Sequence, residues 1–559
     1  MPSIEKKFTL SSDNDTQNET VIRNVGNGME KKRIVLKKIT DHKYTILFSL
    51  ILVFGTLLRI IQLGKVPGGY QMDEAYGAFN AYSLFHSGID STGHSYPVYF
   101  ESWGGGQNAL NSYLMLPLML FTGGRITPLV VRLPQVIIAV LSLVSIYFLM
   151  KEILNASAGL WAMLLLSVCP WHIMMSRWGL ESNLAPGFLL FGLTFFVYGL
   201  KKPKLLILSA FSYGLSLYCY ATIWMIVPLL LILEWAYGLL TKTLKITRYF
   251  IIHICIIGVM AFPLMAFLLV NQRVIPEFSI GPFSVYAMTD FRVNEIASSF
   301  SDILYNFKNL LYLLYRQDVG RPYDVIMPFG FFGVIARVFI FLGVFWLVAC
   351  LIRALWKRQT TLLWMIFIQL TGALLLGLLV TVGMTQINCI YLPLVMCGAL
   401  CLSSLTEFIS GKTNVYGKVA VSILVAGLLV GENGMFEKAY FTSYKELVSA
   451  YFQEGSEEAV QKAMEIAGDS GRDIEIEDAI KYPSVLLYGE IDAAEYLENR
   501  ILSEAPPKPS DFWGKGIHFI MGIDRENVDR DKVYVIYYTD ADKFDGFTLL
   551  PYQNWYVAY

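Results

Sequence analysis

Residues 44–76 read YTILFSLILVFGTLLRIIQLGKVPGGYQMDEAY and decide the fold class of the chain. The first part, Tyr44–Gln62, is apolar apart from Arg59 and a few uncharged polar residues. A run of about 20 such residues matches the thickness of a bilayer, where only a helix satisfies its own backbone hydrogen bonds. The carboxylate pair Asp73-Glu74 follows shortly after this run. The stretch therefore predicts a membrane-spanning helix with an acidic pair just beyond the membrane surface.

The composition places the rest of the chain in the same class. Of 559 residues, 55% are hydrophobic and 14% aromatic, and the mean hydropathy is +0.50, which excludes an ordinary soluble protein. Further apolar segments start near residues 129, 157, 184, 204, 221, 249, 327, 361, 387 and 417. We predict an all-α polytopic membrane bundle of about eleven transmembrane helices. The shorter run Ala109–Phe121, which contains Pro117, is expected to lie along the membrane surface as a juxtamembrane helix.

Positive charges predict the orientation of this bundle. Short cytoplasmic loops of membrane proteins are enriched in Lys and Arg, and here the basic clusters fall on alternate loops, on the side of the N-terminus. They lie at residues 31–38, 151, 201–204, 242–248, 353–358 and 412–418. We therefore predict a multi-pass plasma-membrane protein with a cytoplasmic N-terminus. The loops 63–128 and 271–326 and the C-terminal part are expected to be extracytoplasmic.

Three parts are expected along the chain. Residues 1–40 are polar and predict a disordered cytoplasmic tail, not a cleavable signal peptide, so that the first span acts as an uncleaved signal. Residues 41–431 form the transmembrane domain. Residues 432–559 carry 12 Lys and Arg against 25 Asp and Glu, a net charge of −13. They predict a small extracytoplasmic α/β domain, with a helix over 456–467 and strands over 485–488, 518–521 and 533–538.

The positions of the cysteines and basic residues argue against a disulfide- or zinc-stabilised fold and against nucleic-acid binding. All seven cysteines lie in apolar segments, so neither a disulfide framework nor a cysteine-based zinc site is expected. No basic stripe is typical of nucleic-acid binding, so no nucleic-acid partner is expected. Absence of an evident internal repeat weighs against a transporter built from inverted repeats.

Polar stretches at three places are predicted to meet on the outer face. Asp73-Glu74 alone is more typical of a solvated loop than of a site. The second stretch, PVYFESWGGGQN at 97–108, has three glycines, which either form a hinge or permit close backbone approach to a ligand. The third, PWHIMMSRWGLESN at 170–183, has two tryptophans that fit an aromatic belt. Its Arg177 either binds a phosphate with its fork of donors or pairs with Glu181.

Four segments of the chain resemble those of a known family. DEAYGAFNAYSL (73–84), PVYFESWGGGQ (97–107), VRLP (131–134) and PWHIMMSRWGLESNL (170–184) are similar to segments of bacterial polyprenyl-phosphate-sugar-dependent glycosyltransferases. These enzymes belong to the GT-C superfamily and are related to protein O-mannosyltransferases and lipid A aminoarabinose transferases. The resemblance covers residues 44–270 well and extends more loosely to the closing NWYVAY (554–559).

The resemblance implies an inverting glycosyltransferase that moves a single sugar from a polyprenyl-phosphate carrier to a cell-envelope acceptor: a protein, lipid or polymer. Asp73 matches the position of the general base, which takes the proton of the acceptor hydroxyl. Glu74 is expected to orient Asp73 or to bind sugar hydroxyls. Arg177 and His172 are expected to bind the donor phosphate. Substrate binding is predicted for the remaining polar side chains, Glu101, Trp103, Gln107, Glu181 and Asn183.

The resemblance is incomplete in two respects. Relatives often carry an arginine before the Tyr/Phe-Leu-Pro segment that opens a late span, whereas residues 386–393 read QINCIYLP. Either another cation from the 271–324 loop contacts the phosphate, or the donor site has changed. Some relatives also place a divalent metal near the phosphate, for which Glu101, His94 and His172 are available. Because these residues form no spaced cluster, no metal site is predicted.

Two other classes stay open. A polymerase or ligase of lipid-linked glycans would use a lipid pyrophosphate donor and transfer a chain instead of one sugar. A non-catalytic transporter of lipid-linked glycans would need charged residues along the middle of the bundle. The predicted spans contain few, of which Glu234 near a cytoplasmic end is one.

Overall fold

The structure, a computed structural model, describes residues 42–102, 105–289, 296–412, 415–500, 516–520, 522–525 and 528–559. The predicted cytoplasmic tail, residues 1–40, lies outside these ranges, as does Trp103. By internal contacts the chain divides into two units, Met1–Ile51 and Leu52–Tyr559.

Helices dominate the described residues. They are α1 (His42–Ile60), α2 (Met72–His86), α3 (Leu110–Met119), α4 (Pro128–Ile153), α5 (Ala156–Ser167), α6 (Pro170–Met175), α7 (Ala185–Gly199), α8 (Leu206–Ser216), α9 (Ile223–Leu240), α10 (Arg248–Asn271), α11 (Phe300–Arg316), α12 (Val334–Trp356), α13 (Leu363–Leu379), α14 (Tyr391–Lys412), α15 (Val415–Ala439), α16 (Lys445–Val448), α17 (Ser456–Ser470), α18 (Tyr482–Tyr488) and α19 (Ala493–Asn499).

The predicted membrane bundle is confirmed. Among the described residues, eight helical segments are long and apolar enough to cross a membrane: α1, α4, α7 with the 3₁₀ turn before it (Glu181–Gly199), α9, α10, α12, α14 with the turn before it (Asn388–Lys412), and α15 with the residues after it (Tyr416–Val448). Helices α5 and α13 are shorter apolar helices, and the predicted segment near residue 204 forms the short α8. All eleven predicted segments thus contain a helix. The run at 109–121 forms α3, whose ten residues are too few to span a bilayer.

Close helix packing in the bundle depends on small residues. Helix α12 packs along α14, α7 along α8, and α4 along α5. A side chain added at Gly343 of α12 would collide with the backbone of Cys397 in α14. Apolar lipid tails give helices little reason to associate through hydrophobicity, so such close backbone approach is a main source of stability in a membrane.

The predicted boundary at residue 432 falls within a continuous helical segment. Helix α15 passes through a π-helical turn, Tyr440–Tyr444, into α16. Glu432 faces the start of α12, where its carboxylate accepts hydrogen bonds from the backbone N–H groups of Val334 and Ile335. A carboxylate at this position compensates the positive end of the helix dipole. Residue 432 therefore belongs to the helical bundle.

Beyond α16 the chain forms the predicted α/β region. Its five-stranded sheet has the order β6-β5-β7-β9-β8. The strands are β5 (Ile474–Glu477), β6 (Ile517–Ile520), β7 (Val533–Tyr537), β8 (Leu549–Tyr552) and β9 (Trp555–Ala558). Strands β6, β5 and β7 are parallel, and β7, β9 and β8 are antiparallel. The predicted helix over 456–467 and the strands at 518–521 and 533–538 are confirmed within a few residues.

The predicted strand at 485–488 is wrong, since these residues form the second half of α18. Pro483 occupies the first turn, where its fixed φ favours a helix. Every residue of α18 is buried, so the segment is apolar on all sides. A short run of this kind has no periodicity that separates a strand from a buried helix.

The C-terminal region shares its hydrophobic core with the first outer loop. Residues of α2, including Tyr76 and Phe79, belong to the same buried cluster as Ala463 of α17 and Val485 of α18. Tyr82 of α2 donates a hydrogen bond to the carbonyl of Glu490 at 2.9 Å, and Ser83 Oγ accepts one from the Ala493 N–H at 3.1 Å. Helix α2 is therefore held against helices α18 and α19 of the C-terminal region on one side and α3 on another.

The two outer loops also carry short strands. In the first loop β1 (Tyr99–Phe100) pairs antiparallel with β2 (Gln107–Asn108). In the second, β3 (Phe278–Ile280) pairs with β4 (Phe283–Val285).

Candidate active site

The acidic pair occupies the first turn of α2. Gln71 caps the helix, and its side-chain oxygen accepts hydrogen bonds from the backbone N–H groups of Asp73 at 2.7 Å and Glu74 at 3.4 Å. Glu74 in return accepts a hydrogen bond from the Gln71 N–H at 3.3 Å, which completes a capping box. Because a helix N-terminus favours negative charge, this arrangement fixes both carboxylates at a defined place.

Glu74 forms a buried ion pair with Arg132 of α4. Arg132 Nε and Nη2 donate to the two carboxylate oxygens at 2.8 and 3.0 Å, and both side chains are fully buried. The Gly179 N–H also donates to Glu74, at 2.8 Å. With its oxygens engaged in this way, Glu74 suits the predicted role of orienting Asp73, whereas binding of sugar hydroxyls does not fit this geometry.

The same arginine holds the loop before α2. Its Nη1 donates to the carbonyl of Pro67 and its Nη2 to that of Gly69, both at 2.7 Å. Arg132 thus joins the loop, the acidic helix and α4 through one guanidinium group. Planar, bidentate geometry of this kind is specific to arginine.

Asp73 is only partly exposed and faces a polar neighbourhood. The side-chain amide of Gln107, in β2, donates hydrogen bonds to the Asp73 carbonyl at 2.9 Å and to the Glu181 carboxylate at 3.1 Å. Burial raises the pKa of Asp73, while the Gln71 hydrogen bond and the positive charge of Arg321 act in the opposite direction. The structure therefore brings together Asp73, Gln107 and Glu181, one residue from each of the three stretches that were predicted to meet.

Arg321 belongs to the second outer loop, between α11 and α12. Its side chain is exposed and has no salt bridge to any described residue. Its positive charge lowers the pKa of Asp73, and it opposes the burial that raises the pKa of Asp324 to about 7. Tyr323 packs edge-on against Trp178 with ring centroids 5.8 Å apart. This segment, residues 321–324, thus carries an exposed cation whose charge acts on Asp73.

Arg177 has protein partners for all of its nitrogens. Nε donates to the Tyr440 hydroxyl, Nη1 to the carbonyl of Arg59 and Nη2 to that of Val66, each at 3.1 Å. The guanidinium group also lies 5.2 Å from the Tyr440 ring centroid, and the residue is fully buried. In this conformation Arg177 fastens the end of α1 to the π-helical turn after α15. The binding of the donor phosphate by Arg177 stays a prediction. It requires that the phosphate replace some of these protein partners.

His172 accepts a hydrogen bond on Nδ1 from Arg59 Nη2 at 2.7 Å. Because arginine can only donate, this nitrogen carries no proton, and the imidazole is neutral. His172 and Asn183 line one narrow cleft between α4, α6 and α7 that has room for about one water molecule. Asn183 donates there to the carbonyls of Met175 and Trp178 at 3.2 Å. Neither residue contacts Asp73 through the hydrogen bonds described, so their predicted substrate contacts stay predictions.

Glu101 links the two outer loops. Its carboxylate accepts a hydrogen bond from the Thr289 N–H at 3.0 Å, and its backbone N–H donates to the Tyr286 hydroxyl at 2.9 Å. The ring of His94 stacks on Tyr286 at 3.5 Å between centroids. Trp103, predicted to bind substrate, lies outside the described residues.

Several buried polar atoms without a hydrogen-bond partner in the described part of the chain lie where residues 170–183 meet the segment that opens α14. Asn388 donates to the Ser182 carbonyl at 2.7 Å, but its side-chain oxygen has no partner among the described residues. The same holds for the indole nitrogens of Trp171 and Trp178 and the hydroxyl of Tyr391. Buried polar groups are nearly always hydrogen-bonded in folded proteins, so this group marks a polar interior beside the segment that lacks the family's arginine.

Several residues of this region were missed by the sequence analysis. Arg132 lies within the quoted VRLP segment without an assigned role, and Arg59 was noted only as a charge in the first span. A lone charge in an apolar helix is the available signal, since charges at membrane depth are costly and usually serve a site. For Arg321 and Tyr440 no local pattern distinguishes them from neighbouring residues.

The described residues do not fit a metal site. They contain no group of three or more His, Cys, Asp or Glu side chains placed to hold a metal ion. No step of the reaction is therefore derived through a metal.

Comparisons with known proteins agree with this fold. Residues 112–266 match the family model described as dolichyl-phosphate-mannose-protein mannosyltransferase. No curated protein sequence matches the chain significantly. Among solved structures, ArnT from Cupriavidus metallidurans in the apo state is similar with a TM-score of 0.54 and 10% identity over 93% of this chain and 98% of that one.

Two further structures are similar. ArnT from Cupriavidus metallidurans bound to undecaprenyl phosphate has a TM-score of 0.52 and 12% identity, over 92% of this chain and 98% of that one. The Archaeoglobus fulgidus oligosaccharyltransferase in the apo form has a TM-score of 0.51 and 12% identity, over 81% of this chain and 64% of that one. Together with the family model, these similarities confirm the predicted GT-C fold and the predicted enzyme class, a glycosyltransferase.

Replacing Arg132 by alanine is expected to destabilise the chain by about 3–5 kcal/mol, because the Glu74 carboxylate is then buried without a counter-charge. The measurement is thermal unfolding of the purified protein in one detergent. Arg125→Ala is the control, since Arg125 forms an exposed ion pair with Glu490 at 3.7 Å and its removal costs at most about 1 kcal/mol. Equal losses of stability in the two variants would contradict a central role for the buried pair.

Proposed function

We propose that the chain is an inverting glycosyltransferase that moves a single sugar from a polyprenyl-phosphate carrier to a cell-envelope acceptor at the outer face of the membrane. The observation that carries the proposal is the position of Asp73. It is held in the first turn of α2 by the Gln71 cap and is partly accessible, and the positive charge of the exposed Arg321 opposes the rise of its pKa that burial causes. A base and a phosphate-binding cation are the two groups that such a transfer needs.

Asp73 is the proposed general base. In a single displacement the acceptor hydroxyl gives its proton to the Asp73 carboxylate while its oxygen forms a bond to the anomeric carbon. The bond from this carbon to the phosphate oxygen breaks, and the lipid phosphate leaves with the electron pair. One attack from the opposite side inverts the anomeric configuration. The capping box and the Glu74–Arg132 pair keep the carboxylate at a fixed position, which lowers the entropic part of the barrier.

Arg321 is the proposed partner of the leaving phosphate. The sequence left open that a cation from the 271–324 loop replaces the missing arginine of the late span, and Arg321 is the exposed cation that acts on Asp73. Growing negative charge on the leaving group is stabilised by a preformed donor at that place. A lipid-phosphate donor is also supported by the similar fold of ArnT from Cupriavidus metallidurans, which was solved with undecaprenyl phosphate.

The alternative of a lipid-linked glycan polymerase or ligase differs in the donor and in the group that is transferred. A pyrophosphate donor and transfer of a whole chain would distinguish it. The transporter alternative finds less support, because Glu234 is buried and hydrogen-bonded to Tyr213 at 2.6 Å and Gln369 at 2.8 Å, which suits a structural link between α8, α9 and α13.

Asp73→Asn is expected to reduce sugar transfer by at least about 100-fold, since general-base catalysis contributes about 10²–10⁴-fold. The assay uses radiolabelled undecaprenyl-phosphate sugars with envelope acceptors and purified protein in nanodiscs. Donor binding is expected to persist. Asp469→Asn, an exposed aspartate at the end of α17, is the control and should retain activity. Full activity of Asp73→Asn would remove the proposed base.

The pH dependence of kcat/KM provides a second test of Asp73. Because burial raises its pKa, activity is expected to fall on acidification through a pKa above the ordinary value of about 3.9 for aspartate. Arg321 lowers this pKa, so Arg321→Ala should move the acidic limb to higher pH. An acidic limb that is the same in wild type and Arg321→Ala would contradict the proposed proximity of the two groups.

Arg321→Ala is also expected to weaken donor binding by roughly 10- to 100-fold, the loss that follows from one charge-assisted hydrogen bond of about 1.5–3 kcal/mol. Binding of a labelled polyprenyl-phosphate sugar to the purified chain measures this directly. Arg316→Ala removes another exposed arginine of the same outer region and should leave the affinity unchanged. Unchanged donor affinity in Arg321→Ala, with Arg177→Ala impaired, would instead return the phosphate to Arg177.

A further inference from the structure

A row of aromatic side chains leads away from Asp73 toward the C-terminal sheet. It consists of Trp178, Tyr323, Tyr451, Tyr537 and Tyr538, which we call the aromatic row. Ring centroids are 5.8 Å apart for Trp178 and Tyr323, 5.3 Å for Tyr323 and Tyr451, and 4.7 Å for Tyr537 and Tyr538.

Backbone contacts connect the two parts of the row and its inner end. Gly455, four residues after Tyr451, lies so close to the carbonyl of Tyr552 that an added Cβ would be 2.5 Å from it, and the Tyr538 N–H donates to the carbonyl of Asn554 in the turn that follows. At the inner end, the N–H of Gly179, the residue after Trp178, donates to the carboxylate of Glu74 at 2.8 Å, next to Asp73. The row therefore begins beside the helical turn that carries the proposed base and ends at the carboxyl end of β7.

The outer rings of the row are exposed to solvent, unlike the rings of a hydrophobic core. Tyr451 is 48% and Tyr538 51% exposed, whereas Trp178 is buried and Tyr323 and Tyr537 are half-buried. Single exposed aromatic residues are common, but a contiguous exposed series is typical of an interaction site. Large rings with few rotatable bonds bind at a low cost in conformational entropy.

The scaffold holds these rings in place. Tyr444 donates to the carbonyl of Tyr323 at 3.0 Å, and the Tyr537 N–H donates to the Glu477 carboxylate at 2.7 Å. The Tyr538 N–H donates to the Asn554 carbonyl at 3.0 Å. Because rigid supports improve binding, the row is a preformed surface in this conformation.

The chemistry of the surface selects a class of ligand. A sugar ring has an apolar C–H face, which packs on an aromatic face, and a rim of hydroxyls, which bonds to carboxylates and tyrosine hydroxyls. The carboxylate of Glu477 lies at the outer end of the row, where it accepts the hydrogen bond of the Tyr537 N–H, and Asp540 follows Tyr538 by two residues. A net charge of −13 over residues 432–559 repels polyanions such as teichoic-type polymers. A neutral glycan is therefore favoured over an anionic one.

We propose that the aromatic row is the binding site of the acceptor and that this acceptor is a neutral glycan chain, stacked along Tyr451 and Tyr538 with its end directed to Asp73. The proposal rests on the proposed glycosyltransferase function and names its acceptor. Tyr323 and Trp178 then contact the terminal sugar, and the exposed rings bind the sugars before it.

The test measures glycan binding separately from turnover. Full-length Asp73→Asn in nanodiscs is titrated calorimetrically with maltohexaose, mannohexaose, rhamnose oligosaccharides and poly(glycerol phosphate). At least one neutral oligosaccharide is expected to bind, and Tyr451→Ala combined with Tyr538→Ala should raise its Kd by about tenfold or more, since each stacked ring contributes a few-fold. The double phenylalanine variant keeps both rings and should bind within about threefold of the parent.

Tyr315→Ala is the control, because Tyr315 is 78% exposed on α11 and outside the row. An unchanged Kd in the double alanine variant, preference for poly(glycerol phosphate), or no binding of any neutral oligosaccharide would overturn the proposal. Melting temperatures of all variants establish that they are folded.

Turnover distinguishes this proposal from the one on which it rests. Release of undecaprenyl phosphate by wild-type protein with envelope acceptors tests the transferase alone. If wild type releases none while neutral glycan binding depends on the row, the transferase fails and the glycan site stands. If release occurs but the double alanine variant keeps the acceptor KM of wild type, the glycan site fails and the transferase stands.

Discussion

The buried pair of Glu74 and Arg132 is the interaction on which the outer part of the molecule depends. One guanidinium group fixes the loop before α2, the first turn of α2 and the start of α4. Two charges removed from water stabilise a structure only while both are present and fully hydrogen-bonded. The Gly179 N–H and the Gln71 cap complete this bonding, so the third polar stretch and the acidic helix become parts of one unit.

Four arginines around the acidic pair differ in what they contact. Arg132 and Arg177 are buried and bonded to backbone carbonyls, and Arg59 holds the neutral imidazole of His172. These three act on the protein itself. Arg321 is the exposed one among the four, and its charge acts on Asp73. It is therefore the arginine of this group that a ligand reaches without displacing a protein partner.

The C-terminal region supports the site from the other side. Its helices α17 and α18 share a core with α2, and its sheet carries the outer end of the aromatic row. A shared core couples the position of Asp73 to the position of the C-terminal sheet, because packed interiors deform little. The acidic surface of this region and the acidic helix it supports belong to one structural unit.

The sequence by itself determined the membrane class and the eleven helical segments, because apolar length is a local property, whereas the acidic pair, taken for a loop, forms the first turn of α2. The GT-C resemblance and Asp73 also came from local motifs. Tertiary structure decided what local patterns do not contain. Val485–Tyr488 became helical because it is buried on every side, and Glu74 became part of a buried ion pair because Arg132, 58 residues away, meets it. Arg177 is buried and Arg321 exposed for the same reason: contacts between distant segments, which no spacing in the chain specifies, select which charges are buried and which stay accessible.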